Sequence, residues 1–287
     1  MPYISQALAI LTGGESLHKE SSNNFPPLTF KWLPDRIRKL PVVDVGAHLG
    51  LDLVIPAANL GHRVYAFEPS PSSYKMLEHN LKMANLTVTK LGRNFVSAPP
   101  GTVFLPPRTA VSDRKGSATL TVSPLYHGVA NTLGGKGSMP DKYASKSWTE
   151  TVSTVRLSDV LAAEEEGIYF LKLDAQGHEY HILKGAEEYI RRRPVFMIMF
   201  EFTPFALTAQ GVDPMALLRL LTEDWGYQCF DGRKFRPQTF QQRRHKGLAM
   251  SLEEFNASLS PVSTRKNRFG DWTDLTCVRL DLMRRRR

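Results

Sequence analysis

Pro41-Val-Val-Asp-Val-Gly-Ala-His-Leu-Gly50 and, after a short apolar segment, Arg63-Val-Tyr-Ala-Phe-Glu-Pro69 are the stretches on which the fold turns. Val42, Val43 and Val45 form a short β-branched run, the pattern of a strand buried on both faces. Gly46 and Gly50 permit a tight turn, and Leu49, Leu51, Leu53, Val54 and Ile55 supply the apolar face of a following helix. The run from Val64 to Phe67 reads as a second strand, again ending on an acid, Glu68. In a parallel sheet both strand ends open on one edge, so Glu68 is placed to accept hydrogen bonds from the hydroxyls of a ribose lying over the Gly46 turn.

The turn has the form G-x-x-x-G, not the G-x-G-x-x-G whose amides cradle a pyrophosphate. A nucleoside without phosphate is the better match. S-adenosylmethionine is such a ligand, and its positive sulfonium suits a turn that carries the acidic Asp44.

Further along, Tyr74, Leu77, Leu81 and Ala84 recur at helical spacing, with serines before them as capping candidates. Val103-Phe-Leu reads as a third parallel strand, with Thr109-Ala-Val-Ser-Asp113 and the alternating Gly116-Ser-Ala-Thr-Leu-Thr-Val122 as a hairpin-like insertion. Ile168-Tyr-Phe-Leu-Lys-Leu-Asp174 and the run from Val195 to Phe200 are further buried strands, ending on Asp174 and Glu201. A helix is expected from Gly177 to Tyr189 and another from Pro214, with proline at its start. The segments around Cys229 and Cys277 close the chain as antiparallel edge strands. This alternation predicts an α/β fold with a doubly wound, mostly parallel seven-stranded sheet.

At 287 residues the chain is expected to form one catalytic domain, residues 36–287, preceded by an N-terminal appendage, residues 1–35, of linker-like composition that is expected to be flexible or to act as a lid. Residues 126–148, rich in Gly, Ser, Lys and Asn, read as a loop without periodicity. Two cysteines in apolar surroundings argue against a disulfide framework, so a reducing soluble compartment such as the cytoplasm is expected. No run of roughly 18 apolar residues points to a membrane span. The formal charge of +9 gathers in Arg191-Arg-Arg193, Gln241-Gln-Arg-Arg-His-Lys246 and the last four arginines. Without interleaved aromatics such runs read as solvated surface, which leaves nucleic acid as an alternative partner but not the favoured one.

Asp44, Glu68, Asp174 and Glu201 all fall at the carboxyl ends of expected strands, where open α/β sheets bind ligands. Just beyond Asp174, His178 and His181 share a helix face and Glu179 points to a neighbouring direction. Methyl transfer to an alcohol needs the nucleophile aligned and a proton removed, and His178 or Glu179 is the candidate base. No spacing diagnostic of a metal site accompanies Asp174 and Glu201, so no metal is assigned.

Val42-Val-Asp-Val-Gly-Ala-His-Leu-Gly50, Tyr65-Ala-Phe-Glu-Pro69, Ala110-Val-Ser-Asp113 and Leu171-Lys-Leu-Asp-Ala-Gln-Gly-His-Glu179 with Leu183-Lys-Gly-Ala186 together resemble the FkbM family of S-adenosylmethionine-dependent methyltransferases. The resemblance spans roughly residues 41–230. It implies a class I, Rossmann-like methyltransferase fold and O-methylation of a natural product, sugar or lipid-linked glycan. It places Asp44, Gly46, Ala47, His48, Gly50, Glu68 and Pro69 in the cofactor pocket, Val111 near adenine and Asp174 near the reactive end. Glu179 matches the second acid of the family's Glu-Gly-x-Glu signature. His48 stands where the family commonly has Asn, and Gln176 where it commonly has the first Glu. The leading expectation is therefore an O-methyltransferase acting on a small-molecule or glycan hydroxyl. A nucleic-acid methyltransferase and a non-catalytic cofactor-binding protein are the alternatives, the first to be told by salt-sensitive RNA binding and the second by tight cofactor binding without turnover.

Overall fold

The structure, a computed structural model, describes residues 35–90, 95–122, 131–134, 147–231, 251–259 and 271–279. Val42–Val45 (β1) is buried along its whole length and pairs in parallel with Val64–Phe67 (β2) on one side and Ile168–Leu173 (β9) on the other. Beyond β2 lie Val103–Phe104 (β4) and, at the edge, Val88–Thr89 (β3). Beyond β9 lie Val195–Phe202 (β10), Thr273–Val278 (β12) and Gln228–Asp231 (β11), giving the order β11-β12-β10-β9-β1-β2-β4-β3.

The side chains of each strand alternate between two cores, as the strand period requires. Val43, Val45, Tyr65, Phe67, Leu171 and Leu173 face the helix Glu179–Arg192 (α5), which buries Ile182, Leu183 and Ala186 against them. Val42, Val64, Ala66 and Phe170 face Val54–Asn59 (α2) and Pro71–Met83 (α3) on the other side. Helices on both faces make the sheet doubly wound, as expected.

The seven-stranded expectation needs correction in three ways. The sheet has eight strands, because Val88–Thr89 pairs at the edge, two half-exposed residues with no periodicity to reveal them. The last strand is not at an edge: β12 lies between β10 and β11, antiparallel to both. The expected hairpin is a second sheet of four strands, ordered Thr109–Val111 (β5), Trp148–Val155 (β8), Gly116–Val122 (β6) and Thr132–Leu133 (β7), with Ala110, Leu120, Val122, Leu133 and Val152 as its own small core. Thr132 and Leu133 belong to the stretch read as an aperiodic loop, and pairing with Leu120 and Thr121 makes them strand.

Cys229 and Cys277 sit directly opposite one another on β11 and β12 and form a disulfide. That corrects the expectation of free thiols, and the inference of a reducing compartment loses its support. The two are 48 residues apart in sequence, and only strand register brings them together. Ser70 precedes α3 without a side-chain cap; its main-chain N–H goes to Glu68 instead. Among the described residues no helix is long and apolar enough to cross a membrane. Residues 1–34 of the expected 1–35 appendage and the basic runs at 241–246 and 284–287 lie outside the described residues, as does most of 126–148.

Candidate functional site

A cavity of about 460 Å³ opens at the carboxyl ends of β1, β2 and β9 and is closed on its far side by β5, β6 and β7. Its size is in the range of small-ligand sites. Asp44, Gly46, Ala47, His48, Glu68 and Pro69 line it, as do Val111, Asp174 and His178, so nine of the sequence-predicted positions converge. Gly50 and Glu179 are not among its lining residues, and neither is Glu201.

Glu68 is buried just past the end of β2. Its Oε2 accepts from the His48 N–H at 2.8 Å and its Oε1 from the Ser70 N–H at 2.8 Å. These bonds orient the carboxylate and leave each oxygen one lone pair. Burial pushes its pKa up to about 7 even though the two amides favour the charged form.

The turn that delivers the His48 amide has two backbone requirements. Gly46 has φ +79°, and a Cβ there would lie 2.0 Å from the Asp174 carbonyl oxygen, so its close approach is to the end of β9. Gly50 supports the turn from outside the cavity, packed where a Cβ would meet Leu77 at 2.3 Å. His48 itself has φ +49°, the left-handed region in which Asn and His are enriched among non-glycine residues. That shared tolerance accounts physically for His standing at a position commonly filled by Asn.

Asp44 is not a free charge. β1 and β9 pair Asp44 directly with Lys172, and the ammonium lies 3.2 Å from Asp44 Oδ1, 3.2 Å from the Gly46 carbonyl and 3.6 Å from Asp174 Oδ2. Burial raises the Asp44 pKa to about 6 against the pull of Lys172. Burial also opposes the ammonium, but Asp44 and Asp174 outweigh it and hold Lys172 above the ordinary lysine range. The motifs assign Lys172 no role; its signal in the sequence is a lone cation inside the buried run of β9.

Gln176, at φ +52°, donates from Nε2 to Asp174 Oδ1 at 3.0 Å and to Glu201 Oε2 at 3.2 Å. Glu201 does not end its strand as expected. The β10 ladder continues through Phe202 because β12 pairs with it, setting Glu201 opposite Asp274. Burial and the neighbouring Asp174, Glu179 and Asp274 raise the Glu201 pKa to about 8. Among the described residues no group of three or more His, Cys, Asp or Glu is arranged to hold a metal ion.

Glu179 opens α5 and folds back on its own turn, accepting from the Ala175 N–H at 2.9 Å, with the Gly177 and Glu179 amides also favouring its charge. Burial still raises its pKa to about 7. It satisfies the loop that carries His178. His178, at the N-cap of α5, is buried on the cavity wall, with Nε2 2.9 Å from Ser112 Oγ and its ring stacked on His181 at 4.8 Å. Burial and the neighbouring His181 push its pKa down to about 4, so the ring is neutral at pH 7.

Residues 44–229 match the methyltransferase FkbM domain. The chain belongs to the FkbM methyltransferase family. It is 26% identical over 181 residues to the hexuronic acid methyltransferase AglP of Haloferax volcanii, covering 63% of this chain and 60% of that protein. It is 30% identical over 161 residues to the methyltransferase sdnD of Sordaria araneosa, covering 51% of this chain and 60% of that one. The FkbM chain thus spans about 60% of the length of these curated relatives. A solved precorrin-6y C5,15-methyltransferase from Geobacter metallireducens aligns with 85% of this chain and 83% of its own at 15% identity and a TM-score of 0.34, a likeness that carries no functional weight.

Proposed function

We propose that this protein is an S-adenosylmethionine-dependent O-methyltransferase acting on a hydroxyl of a sugar or another small molecule, with residues 36–287 as the catalytic domain. One observation carries the reading: an amide-oriented buried carboxylate, Glu68, and a neutral buried imidazole, His178, line the same cavity in a member of a methyltransferase family.

The lining suits the cofactor. Glu68 would accept from the ribose hydroxyls, Val111 would pack on the adenine, and the Gly46–His48 turn, tied to Glu68, would hold the methionine end together with Asp174. When bound, the cofactor supplies an activated methyl group on a sulfonium. Asp44 contributes structure more than free charge, because Lys172 neutralises it. His178 accepts the hydroxyl proton of the acceptor, and Glu179 holds the loop on which His178 stands.

A base with a pKa near 4 cannot ionise an alcohol beforehand. It suffices once the new bond begins to form, because the oxygen then becomes strongly acidic. AglP is named for a hexuronic acid substrate, which makes uronic acids the first acceptors to try. Nucleic acid is less favoured, since Arg191 and Arg192 pair with Glu187 and Glu188 along α5 instead of standing free. The test is calorimetry with S-adenosylmethionine followed by an acceptor panel of uronic acids, neutral sugars and RNA. Absence of cofactor binding sinks the proposal, and methylation of RNA alone replaces it.

A further inference from the structure

Resting on the methyl-transfer reading, we infer that Ser112 is a positioning residue that holds His178 as the Nε2–H tautomer, so that the Nδ1 lone pair is the one offered to the acceptor hydroxyl. Ser112 stands in the Ala110-Val-Ser-Asp113 motif, but nothing in the sequence pairs it with His178 or selects a ring nitrogen.

The direction of the hydrogen bonds carries the inference. Ser112 Oγ has one proton and two neighbours, Asp113 Oδ1 at 3.2 Å and His178 Nε2 at 2.9 Å. Burial opposes the charge on Asp113, but hydrogen bonds from Arg114 and Ser112 and the proximity of His181 overcome it and keep its pKa low. An ionised carboxylate is the stronger acceptor, so the serine proton goes to Asp113. The serine oxygen is then left to accept, and among the described residues the group facing it is Nε2 of His178, which must carry the ring proton.

The other nitrogen is the unusual one. His178 Nδ1 is buried and has no hydrogen-bond partner among the described residues, and it does not cap the helix it precedes. A buried polar atom left unpaired costs free energy, and at a cavity wall an absent ligand group is one way to supply the missing partner. His178 lines the cavity, but Nδ1 itself is closed to solvent, so a neighbouring group must move aside before an acceptor hydroxyl can donate to its lone pair.

Backbone packing sets the spacing of the pair. Gly185 of α5 sits so close to Ser112 that a Cβ would lie 2.1 Å from its carbonyl oxygen. The helix carrying His178 is thereby docked on the main chain of the residue that orients it. His181 lies on the same side, stacked on His178 with Nδ1 3.4 Å from Asp113 Oδ2.

In the transfer step the acceptor oxygen forms its bond to the methyl carbon as the carbon–sulfur bond breaks and its electron pair stays on sulfur. The hydroxyl proton moves to His178 Nδ1, and the positive charge that was on sulfur resides on the imidazolium. Ser112 and Asp113 then face that charge from Nε2, and the proton leaves to water after product departs.

The test is long-range proton–nitrogen correlation on the full chain labelled at its 8 histidines, with His178→Gln identifying the His178 signals. The expected spectrum at pH 7 shows a protonated Nε2 and an unprotonated Nδ1 for His178, a mixture of tautomers in Ser112→Ala, and the original pattern in Ser112→Thr. A protonated Nδ1 in the wild type, or an unchanged tautomer in Ser112→Ala, overturns the inference. Wild-type calorimetry with S-adenosylmethionine on the same sample tests the underlying reading separately, because the tautomer is measured without turnover.

Discussion

The two sides of the cavity are built from different materials. The floor, at the ends of β1, β2 and β9, is a set of charged groups tied to one another: Asp44 to Lys172, Glu68 to two amides. The facing wall, from β5, β6 and β7, presents the apolar Ala110, Val111, Leu120 and Leu133; Val111 packs into the main core, and the other three share a small core of their own. Each floor group depends on a specific partner, whereas the wall depends mainly on volume. Substitution on the floor is therefore costly, and on the proposed function the wall is where acceptor preference should change with little loss of stability.

Lys172→Met is the harshest way to test that contrast. It strands Asp44, almost fully buried, without its cation, and losing one partner of a buried pair costs about 3–5 kcal/mol. Denaturant unfolding should show a loss of that size, with much of it regained in Asp44→Asn/Lys172→Met. A loss below about 1 kcal/mol would mean that the floor is no more interdependent than the wall.

Glu68 comes next. Glu68→Ala should weaken S-adenosylmethionine binding about 10- to 100-fold, the worth of one or two hydrogen bonds to a charged acceptor. The wild type should also lose affinity as pH falls through about 7, because protonating Glu68 removes acceptor capacity from the proposed ribose site. Glu68→Gln should show a flatter profile over that range. Calorimetry from pH 6 to 8 reads both, and a flat wild-type profile would detach Glu68 from the ribose.

How much of each side could be read in advance follows the same division. Asp44, Glu68 and Asp174 were legible because each interrupts or ends an apolar run, and the sheet edge then gathers them. Lys172 sat in plain view in β9, but its partner is 128 residues away and only strand register joins them. The wall was less legible still. Thr132–Leu133 is too short to show a period, and Ser112 reaches His178 across 66 residues through the docking of α5. Glu201 was misplaced by one strand end because the ladder that extends β10 comes from β12, near the far end of the chain.

Glu201 gives a smaller effect of opposite sign. Its folded pKa, about 8, lies above the ordinary 4.5, so between those values the folded state binds more protons than the unfolded one. Stability should then fall as pH rises through that window, the reverse of a salt-bridged carboxylate. Glu201→Gln removes the charge while keeping the shape, and should raise the Tm at pH 8 by about 2–4 °C, the response of a chain this size to roughly 1 kcal/mol. The gain should shrink toward pH 5. A gain that is equal at both pH values would assign the effect to something other than crowding by Asp174, Glu179 and Asp274.

Leu133→Met should do least, and that makes it the sharpest probe of the wall. The exchange keeps volume and apolarity, so it should cost less than about 1.5 kcal/mol in a buried site. Leu133 lies on β7, at the opposite edge of the small sheet from Val111 on β5, the residue proposed to meet the adenine. Cofactor affinity should accordingly stay within about twofold, well inside 1 kcal/mol, while the ranking of acceptors in the panel shifts. If affinity for S-adenosylmethionine falls as far as in Glu68→Ala, β7 faces the cofactor and the division between a charged floor for binding and an apolar wall for selection fails. If neither quantity moves, acceptor choice lies with side chains other than Leu133, and Leu120 on the neighbouring strand becomes the position to vary.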